Sequence, residues 1–428
     1  MIIDLSLEGI KDKQMKRSTL ALIMIIVSSL GPYIGLGLRL EHVFIYGFFF
    51  IILILFFFKA TLNKTLLYSL VPLLFSFLIT IFFDLITGPK IRAASIFSNI
   101  DNLLEPVLLI FVFSYYLNKS FTENDFKILL NFIVVTAVFA GLISILTIFI
   151  DLEFILRFFV TDIQGEESLW KQVLSLGRYT GIFSQPLEAG IFFAGSIFSL
   201  IYLKKVYGIR NLYFLTAFFV IFIAGSISLS KNFYLLGLVM TFFLYGQLSR
   251  WPLKKYLFSI LMFFGALTGF FIFFNFDFGN YFNSLLGLYE SEGLANAITA
   301  GRFGGSETTD VELLFNKFLN DGFFMGFGLG THLPLDNGFL EFAYQGGFFS
   351  LLGYLLFICY GLYIGLIHYK KAPAKFLLIL MVYVLLSSIG GPVITANRAN
   401  IIFIFLICAT LVLSNKTSTL FEKKENTP

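Results

Sequence analysis

Residues 128–150 read ILLNFIVVTAVFAGLISILTIFI, 23 positions without one charged side chain. A helix rises about 1.5 Å per residue, so this stretch reaches about 35 Å and outspans the roughly 30 Å hydrocarbon core of a bilayer. It is apolar on every side, which leaves no stripe for water. Runs of the same kind recur outward in both directions, near 18–38, 43–58, 65–86, 103–118, 186–203, 212–228, 232–248, 256–275, 346–367, 375–391 and 399–414. The sequence therefore predicts an all-α, polytopic integral membrane protein of about 12 transmembrane helices, organised as one domain over 1–428.

Composition agrees. The chain is 58% hydrophobic and 13% charged, against about 45–50% and about 25% in a soluble domain. Its 58 phenylalanines read as lipid-facing and packing residues of helices that are apolar all round. Cys359 and Cys408 fall inside predicted spans, so no disulfide framework is available. His42, His332 and His368 are far apart, and no metal-ligand spacing occurs.

Charge orients the bundle. Lys11, Lys13, Lys16 and Arg17 precede a first run too long for a signal-peptide core and without a small-residue cleavage site, so it reads as a retained span with its N-terminus in the cytoplasm. With twelve spans both termini are cytoplasmic. The N-terminal stretch, the even-numbered connections and the tail carry 20 of the 30 lysines and arginines, the asymmetry that marks the cytoplasmic side. The basic balance thus describes a membrane face and not a nucleic-acid footprint.

Two connections on the opposite side are long: 151–185, and an extracytoplasmic loop of about 276–345 between spans 9 and 10. Loops beyond about 12–15 residues are usually functional or disordered. The second contains apolar, helix-compatible sequence at Val311-Glu312-Leu313-Leu314-Phe315 and reads as folded.

Four segments on this side could carry chemistry. Arg178 lies in Gly177-Arg178-Tyr179-Thr180-Gly181-Ile182-Phe183-Ser184-Gln185-Pro186. Lys231 lies in the turn Ser228-Leu229-Ser230-Lys231-Asn232-Phe233. Arg302 lies in Ala300-Gly301-Arg302-Phe303-Gly304-Gly305. The fourth runs from Gly326-Phe327-Gly328-Leu329-Gly330 through His332 and Asp336-Asn337-Gly338 to Gly346-Gly347. Each cation alone reads as a snorkelling or ion-paired residue or as a functional one. Three on one face suit a diphosphate, with Arg offering a fork and Lys a point charge. Asp336 reads either as a helix N-cap or as a base for a sugar hydroxyl, and His332 as a weaker candidate of the same kind.

At these segments the chain resembles the O-antigen polymerase (Wzy-type) and O-antigen ligase family of bacterial membrane glycosyltransferases. The family's Arg-x-x-Gly-x-Phe-x-x-Pro segment is matched by Arg178, Gly181, Phe183 and Pro186. Its Ser-x-Ser-Arg/Lys turn is matched by Ser228, Ser230 and Lys231, and its loop-to-span motif by Asp336, Asn337, Leu340 and Gly347. The resemblance implies a metal-independent enzyme of the bacterial cytoplasmic membrane that needs no cofactor. Its donor would be a glycan on undecaprenyl diphosphate, with membrane lipids around it and a flippase and a chain-length regulator as partners. Arg178, Lys231 and Arg302 would hold the diphosphate, and Asp336 and His332 would serve catalysis. Asp at 336 and the Ser-x-Ser-Lys turn favour a polymerase of O-antigen, capsule or exopolysaccharide repeats. A ligase transferring the glycan to lipid A-core or another acceptor stays open through His332. A flippase fits less well, because transporters place polar groups at mid-membrane and the predicted spans are nearly free of charge.

Overall fold

The computed structural model describes residues 17–35, 38–57, 61–87, 96–118, 120–160, 169–252, 254–255, 287, 290–291, 311–330, 335, 337–396 and 398–416. These are predominantly helical. In chain order they form α1 (Arg17–Ser28), a hairpin of β1 (Tyr33–Gly35) and β2 (Leu38–Arg39), α2 (Leu40–Phe57), α3 (Lys64–Ile86), α4 (Ile96–Tyr116) and α5 (Glu123–Leu146). The short helices α6 (Glu153–Leu156) and α7 (Leu169–Ser175) follow, then α8 (Pro186–Tyr207) and α9 (Asn211–Ile227). A π-helical turn (Asn232–Gly237) runs into α10 (Leu238–Ser249). The remainder comprises α11 (Val311–Lys317), a second π-turn (Phe318–Gly322), α12 (Gly338–Ile367), α13 (Ala372–Ser387) and α14 (Ala399–Lys416).

Seven of these helices are long and apolar enough to cross a membrane: α2, α3, α5, α8, the continuous Asn232–Ser249, α12 and α14. Ser18–Ser28, Asn211–Ile227 and Ala372–Ser387 are shorter apolar helices. The chain is a multi-pass membrane protein. The span expected near 256–275 and most of the loop expected at 276–345 lie outside the described residues. Within that loop, α11 forms where the apolar stretch at 311 predicts helix.

Three boundaries differ most from the sequence reading, each for a local reason, while others shift by up to about a turn. The first span, expected to reach Leu38, stops at Ser28 because Gly31-Pro32 cannot continue a helix, and Tyr33 to Arg39 turn back as the hairpin. Span 4, expected from 103, begins at Ile96, since polar residues that resemble a loop find tertiary partners instead. Span 10 begins at Gly338 and not near 346. Asn337 caps it, its Oδ1 accepting from Phe339 N and Leu340 N, both at 3.0 Å. The glycines expected to lead into the helix form a kink within it: Gly346 and Gly347 leave helical geometry, Gly347 at φ +73°.

α8 and α14 are buried over 94% and 89% of their span windows and α2 over only 22%, so α8 and α14 form the centre and the others ring them. α14 packs on α13, α4 and α8, α12 packs on α3 and α13, and α5 on α8 and α9. Outward-facing phenylalanines such as Phe50, Phe57, Phe82, Phe139 and Phe219 are exposed, as suits a lipid-facing surface. The α3–α12 seam closes on small residues. Ser350 Oγ lies 2.7 Å from Ser76 Oγ and 3.1 Å from Thr80 Oγ1, and Gly353 lies against the Pro72 carbonyl, the close approach that small residues permit in membranes.

Helix ends alternate between two sides. On one side Lys416 Nζ donates to the carbonyls of Asn118 and Phe121 at 2.7 and 3.0 Å. Lys371 Nζ donates to Ser414 O at 2.7 Å and Lys375 Nζ to Gln247 O at 2.9 Å, while Tyr207 Oη reaches Glu123 O. Cations here satisfy carbonyls at helix C-termini and in the α4–α5 connection. The other side gathers the ends of α1, α3, α5 and α9 with the starts of α2, α4, α8, α12 and α14.

Candidate functional site

At that second side the fold assembles a buried charged centre. The hairpin delivers Arg39, and the first turn of α2 follows with Glu41 and His42. α4 adds Asp101 and Glu105, and the connection into α14 adds Arg398 and then Asn400. Glu41 is shared by two cations: Arg39 Nε lies 3.1 Å and Arg398 Nε 3.7 Å from its Oε1. Both guanidinium groups stand over the Tyr33 ring, at 6.0 and 5.6 Å from its centroid, a cation–π arrangement.

Arg398 is the most heavily committed of these residues. Its Nη1 donates to Ile182 O at 2.7 Å, and its Nη2 donates to Gly31 O at 3.1 Å and Phe159 O at 2.7 Å. It joins the α1–α2, α5–α8 and α13–α14 connections through one side chain that is 2% exposed. Its backbone holds φ +52°, a conformation that non-glycine residues adopt only where the surroundings enforce it.

Beside this triad, His42 Nε2 lies 3.2 Å from Asp101 Oδ2 and 3.2 Å from Arg39 Nη2, and Tyr46 Oη donates to Asp101 Oδ1. One helical turn deeper on α4, Glu105 is buried. Neither of its carboxylate oxygens has a hydrogen-bond partner, and both polar atoms of the buried Asn400 amide are likewise unsatisfied. Two guanidinium groups face three carboxyls, so acidic groups outnumber the permanent cations where charge is costly.

The residues singled out in the sequence are distributed as follows. Arg178, half-buried, donates through Nη2 to Leu229 O at 3.1 Å. Tyr179 N donates to Ile227 O at 2.9 Å, and Gly190 of α8 leaves no room for a side chain against Ser230. The Arg178 segment and the Ser228–Lys231 turn are therefore one structural unit. Lys231, also half-buried, opens the π-turn, and such bulges recur at functional sites. Arg302, His332 and Asp336 lie outside the described residues.

The parts of the fourth segment that are described dock nearby. Gly326, Gly328 and Gly330 all hold positive φ, which glycine adopts without cost, and Leu329 N donates to Asp84 Oδ1 at 3.1 Å. Gly338 N donates to Ser388 O at 2.8 Å. Gly391, three residues on, abuts Leu187 in the first turn of α8. Glu341 accepts from Thr395 Oγ1 at 2.8 Å, three residues before Arg398, whose own bond to Ile182 O reaches into the Arg178 segment.

Sequence reasoning did not select Arg39, Glu41, Asp101, Glu105 or Arg398, and it gave His42 no role. One signal was present: Glu105 falls inside the span predicted at 103–118, and an ionisable residue inside a span is a functional candidate by default. Spacing along the chain shows no metal pattern, yet the fold brings one ligand atom each of His42, Asp101 and Glu105 within 4.8 Å of one another.

No protein-family model matches the chain, and no curated protein matches it.

Proposed function

We propose that the protein is a polysaccharide polymerase that joins undecaprenyl-diphosphate-linked oligosaccharide repeat units at the outer face of the bacterial cytoplasmic membrane. The observation that carries this reading is the contact of Arg178 with Leu229. It makes neighbours of two motif segments, one bearing Arg178 and one Lys231, on the side of the bundle opposite its lysine-rich end. The excess of lysine and arginine marks that other end as cytoplasmic.

In this reading Arg178, Lys231 and Arg302 bind the diphosphate and stabilise the charge that develops on it as the anomeric bond breaks. An acceptor hydroxyl attacks the anomeric carbon, and Asp336, with His332 nearby in sequence, orients or deprotonates it. The leaving group departs as undecaprenyl diphosphate.

A second reading, transport of the same lipid-linked sugars, is favoured by one observation: Glu105 is a buried carboxyl well inside α4, the kind of group that transport pathways use.

Deleting the gene and separating the surface glycans by size tests both. Loss of long chains, with one repeat unit still attached to the acceptor, supports the polymerase. Full-length polymer accumulating on undecaprenyl diphosphate means a ligase. Single lipid-linked units trapped where external enzymes cannot reach them mean a transporter.

A further inference from the structure

The buried centre between α2 and α4 contains a group that the fold leaves unsatisfied. Both carboxylate oxygens of Glu105, at 2% exposure, and both polar atoms of the Asn400 amide, 0% exposed, lack a hydrogen bond of normal geometry, although the amide lies beside the carboxyl and interacts with it. A buried carboxylate in this state costs several kcal/mol unless a cation or a proton occupies it. The donors around it are one imidazole nitrogen and carboxylate oxygens from two residues, all within 4.8 Å.

We propose that His42, Asp101 and Glu105 form a binding site for a divalent first-row transition-metal ion such as Zn2+ or Mn2+, with the Asn400 side chain as an adjoining ligand or support.

Donors bound to one such ion at about 2.1 Å stand about 3–3.5 Å apart. His42 Nε2 and Asp101 Oδ2, at 3.2 Å, already have that separation. Glu105 has no well-formed hydrogen bond to give up in moving toward them. An imidazole with two carboxylates suits the borderline Zn2+, and Mn2+ through its carboxylates, over Na+ or Ca2+, which take all-oxygen sites. The surrounding charge allows it, since Arg39 and Arg398 are counterbalanced in part by Glu41 while Asp101 and Glu105 supply two negative charges once an ion displaces any proton from them. Arg39 Nη2 gives up its contact with His42 Nε2 when the ion binds and keeps Glu41 through Nε, at 3.1 Å. Tyr46 donates to the second oxygen of Asp101 and orients it, the support that outer partners supply to metal ligands. Asp101 is 22% exposed and provides the way in. The inference is independent of the proposed glycosyl transfer, which needs no metal, and assigns the ion to the joining of α2 and α4.

The test uses the full chain in detergent, purified without a polyhistidine tag, and titrated with Co2+ as a spectroscopic probe. One equivalent of Co2+ giving visible d–d bands that Zn2+ abolishes is the expected result, with a melting temperature that chelator lowers. Glu105→Gln and His42→Gln lose the bands, and Asn400→Ala weakens binding by about 10-fold or more. If the variants fail to fold, X-ray absorption on the Zn2+-loaded wild type still decides, by showing or lacking the scattering of a coordinated imidazole. Absence of stoichiometric binding to the wild type overturns the proposal, as does undiminished binding in Glu105→Gln. A Glu105→Gln variant more stable than the wild type and indifferent to metal overturns it too, and assigns a bound proton to Glu105 instead.

Discussion

The guanidinium of Arg178 donates to the carbonyl oxygen of Leu229 at 3.1 Å. Leu229 holds φ +49°, so its carbonyl is turned by a backbone conformation that leucine does not adopt freely. The bond fixes the segment that leads into α8 against the turn that launches the π-helix at Asn232.

Arg178→Ala is expected to abolish long-chain glycan, with about 2 kcal/mol of stability lost for the bond to Leu229 O, a hydrogen bond from a charged group. Arg178→Lys restores a point charge without the fork and should leave shortened polymer. Glycan profiles set beside membrane protein levels check both. Arg302→Ala read the same way should give no polymer from normally inserted protein, and wild-type chain length would remove Arg302 from the site.

The cap of α12 is Asn337, whose Oδ1 takes two backbone N–H groups. Asn337→Ala is expected to cost about 1 kcal/mol in thermal unfolding, and Asn337→Asp to retain most of it. Asp336→Asn leaves both cap bonds in place. Its expected loss of polymer therefore reports chemistry at that position, and full activity would withdraw Asp336 as the base.

Gly347 sits at φ +73°, and a Cβ there would collide with the Phe324 carbonyl. Gly347→Ala meets both a strained backbone and an immovable neighbour, so a loss of about 2–4 kcal/mol is expected. The same change at Gly47, where added atoms meet open space in mid-helix, should be neutral or stabilising by up to about 1 kcal/mol. Melting curves of the two variants make the comparison.

Arg398→Ala removes three carbonyl partners and one of the two cations on Glu41. Breaking a buried pair in this way costs about 3–5 kcal/mol, and the variant is expected to accumulate poorly in membranes. Arg398→Lys keeps the charge yet cannot reach the same carbonyls from one planar group, so most of the loss should persist.

The helices were legible because lipid imposes one solution on the backbone: 20-odd apolar residues can satisfy their polar groups only as helix. What the spans conceal was less so. The polar run Ser98-Asn99-Ile100-Asp101-Asn102 looks like a connection, and its helical state depends on partners such as His42 and Tyr46 in α2. Glu41, Glu105 and Arg398 are singletons on separate segments, so no local spacing unites them. The Arg178 and Ser228–Lys231 segments were both recognisable along the chain, but their contact is a property of the bundle. The choice of Asn337 over Asp336 as cap turns on a one-residue shift of the helix start, finer than hydrophobic patterning resolves.

Arg398 also has a temporal consequence. Its bond to Gly31 O spans 367 positions, nearly the whole length of the chain, and membrane proteins emerge from the ribosome N-terminus first. During synthesis Glu41 has Arg39 as its nearest cation, and the loops at Gly31, Phe159 and Ile182 have no common anchor until the connection into α14 is made. The last helix thus acts as a keystone, and a chain stalled before it would display an incomplete acidic centre open to quality-control proteases.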